Sequence, residues 1–277
     1  MNQKGLTLIE LLIALVISAF LIAGIYRTFI HQQHTYTVQE QVVDMQQNVR
    51  IAINQMVREI RMAGFGRQDS KTWGAGGMHG VYKNVVHPTD DGTSITVVGA
   101  YEEVTAVAED VDLVNSPNKV KVNDPSFFDT GGLQYICLNG TESRRIKQIN
   151  GNELELFDNL LERHIAGEPA FRVMAITYSL GVVDGKSMLL RNDNVPGGSG
   201  AQPVAENIEN LRFMYTLDDG SIFWDTVPGN RRDEIRMIQV TLIARTDRTD
   251  PELGGGGDGF RRRTLTSNIQ LRNLTFM

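Results

Sequence analysis

The apolar positions of this chain follow different periods along its length. From Leu6 to Tyr26 the sequence LTLIELLIALVISAFLIAGIY is almost unbroken in hydrophobicity, with Glu10 its one charge. About twenty apolar residues in a helix match the hydrocarbon thickness of a bilayer, so the run predicts a transmembrane segment over 6–26. Beyond Thr28 a stripe takes over: Val38, Val42, Met45, Val49, Ile53, Met56, Ile60 and Ala63 recur every three or four positions, with Gln, Asn, Arg and Glu between them. That spacing places them on one helical face. No proline interrupts the stretch, and Gly64 with Gly66 supplies a stop. The two patterns together predict one continuous helix from Leu6 to about Ala63, on the order of 85 Å long at ~1.5 Å per residue. Its first half anchors and its second half packs on a sheet. A coiled-coil seam is the alternative for the stripe, since its drift suits a period near 3.5 as well as 3.6.

The remainder alternates with a period of two. Strands are predicted at Ser94–Ala100, Gln134–Leu138, Arg144–Ile149, Glu153–Phe157, Phe171–Leu180, Met188–Arg191, Leu211–Thr216, Ile235–Thr246 and Thr264–Leu271. Ile238, Val240, Leu242 and Ala244 alternate cleanly, as do Ile269 and Leu271. Asn150-Gly151-Asn152 and Asp184-Gly185 signal hairpin turns, and Ala205–Asn210 reads as a short helix or a strand lead-in. Gly197–Gly200 and Gly254–Gly257 read as flexible surface loops. The predicted organisation is a leader over 1–5, the membrane segment over 6–26, an amphipathic stalk helix over 27–64 and a β-rich head over 65–277.

Composition narrows the classes. With 41% apolar and 22% charged residues the 277-residue chain is globular, neither disordered nor polytopic. A net charge of −6 argues against a nucleic-acid binder. Arg231-Arg232 and Arg261-Arg262-Arg263 are short clusters among acids and read as solvated turns or strand ends. Cys137 is the only cysteine, so no intramolecular disulfide can form, and its apolar strand-like surroundings suit a small buried hydrophobe.

The N-terminal order is unlike an ordinary secretory signal, whose small residues follow its apolar stretch. Here Gly5 precedes the apolar run, so cleavage after it would leave the hydrophobic helix on the mature protein. Glu10 then needs an explanation, because a carboxylate in an apolar span costs about 2.5 kcal/mol or more at the helix centre. It either reaches the headgroups and favours the helix N-terminus, or it seeks a cationic amine that cleavage creates on Leu6 of a neighbouring subunit. Lys4-Gly5-Leu6-Thr7-Leu8-Ile9-Glu10-Leu11-Leu12 resembles the prepilin peptidase recognition sequence of type IV pilins and type II secretion pseudopilins. The resemblance implies processing after Gly5 on the cytoplasmic side, N-methylation of Leu6, and use of Glu10 in docking and register during filament assembly. It implies an α+β, type IV pilin-like fold, with a long N-terminal helix packed by its C-terminal half on an antiparallel β-sheet head. Leu6 stands where phenylalanine is usual, and Arg27 near the place of the helix-kinking proline of major pilins.

Further blocks resemble the PilW-type minor pilin family: Arg50–Ile53, Arg58–Phe65, Asn207–Phe213 with Tyr215, Ile238–Arg245 and Thr266–Asn273. That resemblance implies a minor subunit that primes or caps a type IV pilus. Its partners would be other minor pilins, the major pilin, prepilin peptidase and the inner-membrane assembly platform. It would sit in the bacterial inner membrane by a single pass, head periplasmic, and then at the pilus tip. A J-type pseudopilin of type II secretion is the alternative, and a membrane-tethered periplasmic adhesin or enzyme the alternative of another class.

No phosphate-binding loop, nucleophile elbow or H-E-x-x-H motif occurs, so no catalytic residue and no cofactor is expected. His31 and His34 lie at i and i+3 on the stalk helix, without an apparent third metal ligand nearby. His79, His87 and His164 are scattered. Asp90-Asp91-Gly92, Asp218-Asp219-Gly220 and the acids between Asp247 and Asp258 offer oxygens of the kind calcium uses, but Asp-Gly is also ordinary turn chemistry. Trp73 and Trp224 are core plugs or contact anchors.

Overall fold

The computed structural model of the protein describes residues 7–66, 78, 81–128, 134–195, 199–253 and 257–274. One helix, α1, runs unbroken over Leu8–Met62, as the apolar run and the stripe predict. Polar side chains within it satisfy themselves on the preceding turn: Ser18 Oγ donates to Ala14 O at 2.7 Å and Thr28 Oγ1 to Gly24 O at 3.0 Å. Two compact units divide the chain, Met1–Gln46 with Thr246–Arg261, and Gln47–Arg245 with Arg262–Met277.

The second unit holds all the strands. In chain order they are β1 (Val86–Pro88), β2 (Ser94–Ala106), β3 (Lys119–Lys121), β4 (Tyr135–Leu138), β5 (Glu142–Asn150), β6 (Glu153–Leu156) and β7 (Pro169–Val183). They continue as β8 (Lys186–Asn192), β9 (Gln202–Glu206), β10 (Ile208–Leu217), β11 (Ile222–Trp224), β12 (Ile235–Arg245) and β13 (Arg262–Gln270). Nine form one sheet in the order β1-β2-β7-β4-β5-β6-β3, with β8 and β9 continuing from β7, and four form a second in the order β11-β10-β12-β13. Pairing is antiparallel throughout. The expected α+β, type IV pilin-like layout of one long N-terminal helix followed by antiparallel sheets is therefore present.

All nine predicted strands form, several longer than their apolar cores suggested. The extra residues of β2 pair with the first residues of β7, Glu103 with Phe171 and Ala106 with Pro169. The ambiguous Ala205–Asn210 is strand, divided between β9 and β10 at Asn207, whose φ is 58°. Both hairpin signals hold. Gly151 turns β5 into β6 at φ 61°, and Asp184 and Gly185, at 51° and 77°, give β7 and β8 the two left-handed residues a type I′ turn requires. Strand β4 is buried on both faces: Ile136 and Leu138 enter one apolar cluster with Leu154 and Leu156, Tyr135 and Cys137 another with Val98 and Val173.

From Val49 onward the helical stripe is spent inside the chain's own core: Val49, Ile53, Met56, Ile60 and Ala63 are all at most 5% exposed. Those positions are thereby unavailable as an intermolecular coiled-coil seam. The helix ends where Gly64 turns left-handed at φ 79°. Gly64 N–H then donates to Val98 O at 2.8 Å and Ala100 N–H to Phe65 O at 3.0 Å, so the chain leaving α1 runs onto β2. Asn273 Nδ2 closes the same end, donating to the carbonyls of Met62 and Ala63 at 3.2 Å each.

Candidate functional site

The helix N-terminus carries the first candidate. Thr7 N–H and Thr7 Oγ1 both donate to Glu10 Oε2, at 2.9 and 2.8 Å, and Glu10 N–H points back at Thr7 Oγ1 at 3.4 Å. This reciprocal pair is a capping box, in which the residue before the helix and the third residue within it satisfy each other's free N–H groups. The signal was present in the sequence as Thr7-x-x-Glu10 ahead of an apolar run. Glu10 thus has a local partner within its own chain. Gly5 and Leu6, the predicted cleavage and methylation positions, lie outside the described residues, as does the leader.

After the box the helix presents apolar side chains all round. Leu8, Leu11, Leu15, Phe20, Ile22 and Tyr26 are each at least 60% exposed. No part of the most apolar 18-residue window is buried, and the helix is long and apolar enough to cross a membrane. Monomeric soluble proteins rarely leave so large a contiguous apolar surface uncovered.

In the second unit Glu59, His164 and Glu142 are committed to structure. Glu59, read in the sequence only as part of a family block, is 7% exposed and accepts Tyr178 Oη at 2.7 Å and Arg191 Nε at 3.0 and 3.1 Å. His164 lies between two carboxylates, Nδ1 at 2.8 Å from Glu168 Oε2 and Nε2 at 3.2 Å from Glu142 Oε2. A ring with an anion on each nitrogen must donate from both and carries a charge. Burial opposes that charge, and the two carboxylates outweigh it, holding the His164 pKa above the ordinary imidazole value. For Glu142 burial is again the opposing influence. His164, the N–H groups of Glu162 and Leu161, and Arg144 overcome it and keep the carboxyl below its usual range. His87 is the reverse case: burial, aided by Arg232, pushes it down to about 4, and its Nε2 accepts Asn84 N–H at 2.8 Å.

The acidic loops and arginine clusters meet one another. Asp90 pairs with Arg232 at 2.9 Å, Asp219 with Arg231 at 2.6 Å, Asp218 with Arg236 at 3.2 Å and Asp250 with Arg261 at 2.6 Å. Asp91 Oδ1 accepts Thr93 N–H at 3.1 Å, the turn role expected of Asp-Gly. Cys137 is fully buried, and desolvation pushes its thiol up to about 11. Trp224 is 58% exposed on β11, with the Arg212 guanidinium 5.9 Å from its ring. Trp73, His79, residues 197 and 198 of the first glycine loop and 254–256 of the second lie outside the described residues. His31 and His34 face Glu252, which sequence spacing did not bring to them.

Residues 1–26 match the model of the prokaryotic N-terminal methylation motif. That match covers the segment in which the predicted cleavage sequence, the capping box and the apolar run coincide, and it indicates a type IV pilin-like or pseudopilin precursor. The motif and the exposed apolar helix together fit a subunit anchored in a membrane by a single pass, a structural component that assembles with other pilins and is processed by prepilin peptidase. No curated protein and no solved structure matches the chain.

Proposed function

We infer that this chain is a minor pilin that primes or caps a type IV pilus. Prepilin peptidase removes residues 1–5, Leu6 is methylated, and the subunit waits in the bacterial inner membrane on its 6–26 span with its head in the periplasm. Other minor pilins, the major pilin and the assembly platform are its partners, and its work is assembly. The observation that carries the reading is the methylation motif at the start of a helix whose apolar first turns bury nothing against the chain itself. An apolar surface of that kind needs lipid first and neighbouring helices afterwards. The PilW-type blocks support the finer assignment to a minor subunit. Among them, Glu59 and Asn273 hold the helix to β7, β8 and the chain end.

The experiment has two steps. Intact mass of the membrane-extracted protein should show loss of Met1 to Gly5 and one added methyl group. A retained leader, or cleavage beyond Ala23, would remove the precursor reading. Deletion should then abolish surface pili while exported enzymes still reach the medium. The opposite phenotype would assign the chain to a type II secretion pseudopilus.

A further inference from the structure

Residues 246–261, the excursion between β12 and β13, belong to one compact unit with the first 46 residues. The excursion is internally braced: Asp250 N–H donates to Gly259 O at 2.7 Å, Thr246 N–H to Arg261 O at 2.9 Å, and Thr246 Oγ1 to Arg248 O at 2.9 Å. A short 3₁₀ turn over Pro251–Leu253 follows Asp250 and carries Glu252. Opposite it on α1 stand His31 and His34. His34 Nδ1 is 3.9 Å from Glu252 Oε1, His31 Nδ1 is 3.9 Å from the same oxygen, and His34 Nε2 is 3.6 Å from Asp250 Oδ1.

These separations exceed a hydrogen bond. They approach the spacing of donors that share a cation, since ligands about 2.0–2.2 Å from a tetrahedral ion stand roughly 3.4 Å apart. His31 and Glu252 are well exposed, at 73% and 61% of their side chains, so small rotations of both close the remaining half-ångström. Asp250 has a different part. Its side chain is only 3% exposed; Oδ2 accepts Arg261 Nε at 2.8 Å and Nη2 at 2.6 Å, and Oδ1 accepts Glu252 N–H at 3.0 Å. A carboxylate fixed in this way 3.6 Å from Nε2 favours the ring proton on that nitrogen through its charge, and a small shift brings the two into hydrogen-bond range. Nδ1, with Glu252 Oε1 at 3.9 Å, is then the nitrogen left to bind an ion, which is how a metal-binding histidine is commonly oriented. A groove of about 500 Å³ along Thr35, Val38 and Gln39 opens beside it, with room for water on the ion.

We propose that His31, His34 and Glu252 bind one divalent transition-metal ion of the zinc class, with Asp250 as the positioning residue for His34. Two imidazoles and one carboxylate form the donor set of open, three-ligand zinc sites, whereas calcium and magnesium select oxygen. The bound ion ties the 246–261 excursion to α1 and leaves a coordination position for water or for a side chain of another subunit.

The test uses the full chain, purified in detergent without a polyhistidine tag, titrated with zinc sulfate by calorimetry and with cobalt(II) by visible absorption. One zinc per chain is expected, with cobalt bands of a four-coordinate site. His34→Ala and Glu252→Ala should each weaken zinc by more than tenfold. Asp250→Asn should weaken it by about tenfold to a hundredfold. His31→Ala should weaken it without touching the fold, because the residue is exposed and alanine favours a helix. Zinc should also slow tryptic cleavage at Arg248 in the parent and leave it unchanged in His31→Ala. Zinc binding equal in the parent and a His31→Ala/His34→Ala double variant would overturn the site. Tighter binding of calcium than of zinc would overturn its chemistry. Tightening of the excursion by acid alone, with no response to metal, would make His34 a plain cation between two carboxylates and overturn it too.

Discussion

Glu59→Ala is expected to destabilise the head by about 3–4 kcal/mol. Glu59 sits on the buried face of α1 between Met56 and Ile60, and its carboxylate joins the helix to Tyr178 of β7 and Arg191 of β8. Burial, then the adjacent Glu59 charge, pushes the Tyr178 phenol upward, so it remains a donor across the working range of pH. Truncating Glu59 leaves that donor fully buried without an acceptor, a loss of roughly 1–2 kcal/mol. It also leaves the Arg191 guanidinium without its anion. Breaking a fully buried pair costs about 3–5 kcal/mol, and Arg191 keeps enough water to bring its share to roughly 2. Tyr178→Phe removes one hydrogen bond and should cost only about 1 kcal/mol.

The measurement is chemical denaturation of the full chain in detergent, followed by far-ultraviolet circular dichroism, for Glu59→Ala and for a cycle of Glu59→Met, Arg191→Met and the Glu59→Met/Arg191→Met double variant. Replacing both charges by apolar side chains of similar size should recover the roughly 2 kcal/mol share of Arg191, because that part of the penalty lies in the orphaned charge, while the Tyr178 hydroxyl stays without its acceptor. A Glu59→Ala variant within about 1 kcal/mol of the parent would show that the helix is held by its apolar stripe alone. A double variant no better than the single one would show that the cost is a cavity.

Three further outcomes follow from the same geometry. His164 has a raised pKa, so its contribution is complete below the unfolded value of 6.5 and is lost as pH rises through the folded value; His87, lowered to about 4, contributes above 6.5 and loses its contribution as pH falls toward 4. The denaturation midpoint should therefore peak near neutrality, with His164→Gln flattening the alkaline limb and His87→Gln the acid limb; unchanged limbs in both variants would refute the assignment. Gly66→Ala places a methyl on the sulfur of Cys137 at a left-handed φ of 77°, whereas Gly151→Ala meets open space at 61°; the first should cost well over the second's ~1–2 kcal/mol. Equal losses in thermal unfolding would remove the steric part of that claim. Thr7→Ala, which takes one donor from the capping box, should still enter filaments, while Glu10→Ala should be cleaved yet fail to be incorporated; identical behaviour would reduce Glu10 to a helix cap.

Legibility in the sequence followed the range of the forces involved. The helix and the long strands were readable because many residues repeat one period, and the turns because Asp184-Gly185 and Gly151 are local chemistry. The short strands β1, β3 and β11 were missed, and β9 was met only at its end, in the ambiguous Ala205–Asn210. Each has three to five residues, two contain a proline, and they exist only because a longer neighbour supplies their hydrogen bonds. Glu59 was hidden by its charge, although its place three residues after Met56 put it on the buried stripe. The pairing of His34 with Asp250 and Glu252, and of His164 with Glu142, could not be read, since tertiary pairing between separate segments leaves no periodic trace; Glu168, four residues from His164, is a local partner. The capping box could have been read, because Thr7 and Glu10 are three residues apart.

That box changes the physical account of Glu10. In a bare apolar span its charge would demand an external cation, and the cost at the helix centre is about 2.5–3.5 kcal/mol. Here Oε2 already takes two hydrogen bonds from Thr7 at the positive end of the helix, and bonds to a charged acceptor contribute roughly 1.5–3 kcal/mol each. These two bonds offset part of that cost within the chain itself, before any neighbour arrives. Among the described residues Oε1 has no partner, so the carboxylate keeps one oxygen to offer. In the proposed filament the amine of a neighbouring Leu6 would then add to a partly compensated charge instead of meeting a bare one. Its energetic value would lie in orientation: a subunit displaced along the filament would lose that contact while its helix stayed capped, which would make Glu10 a selector of register.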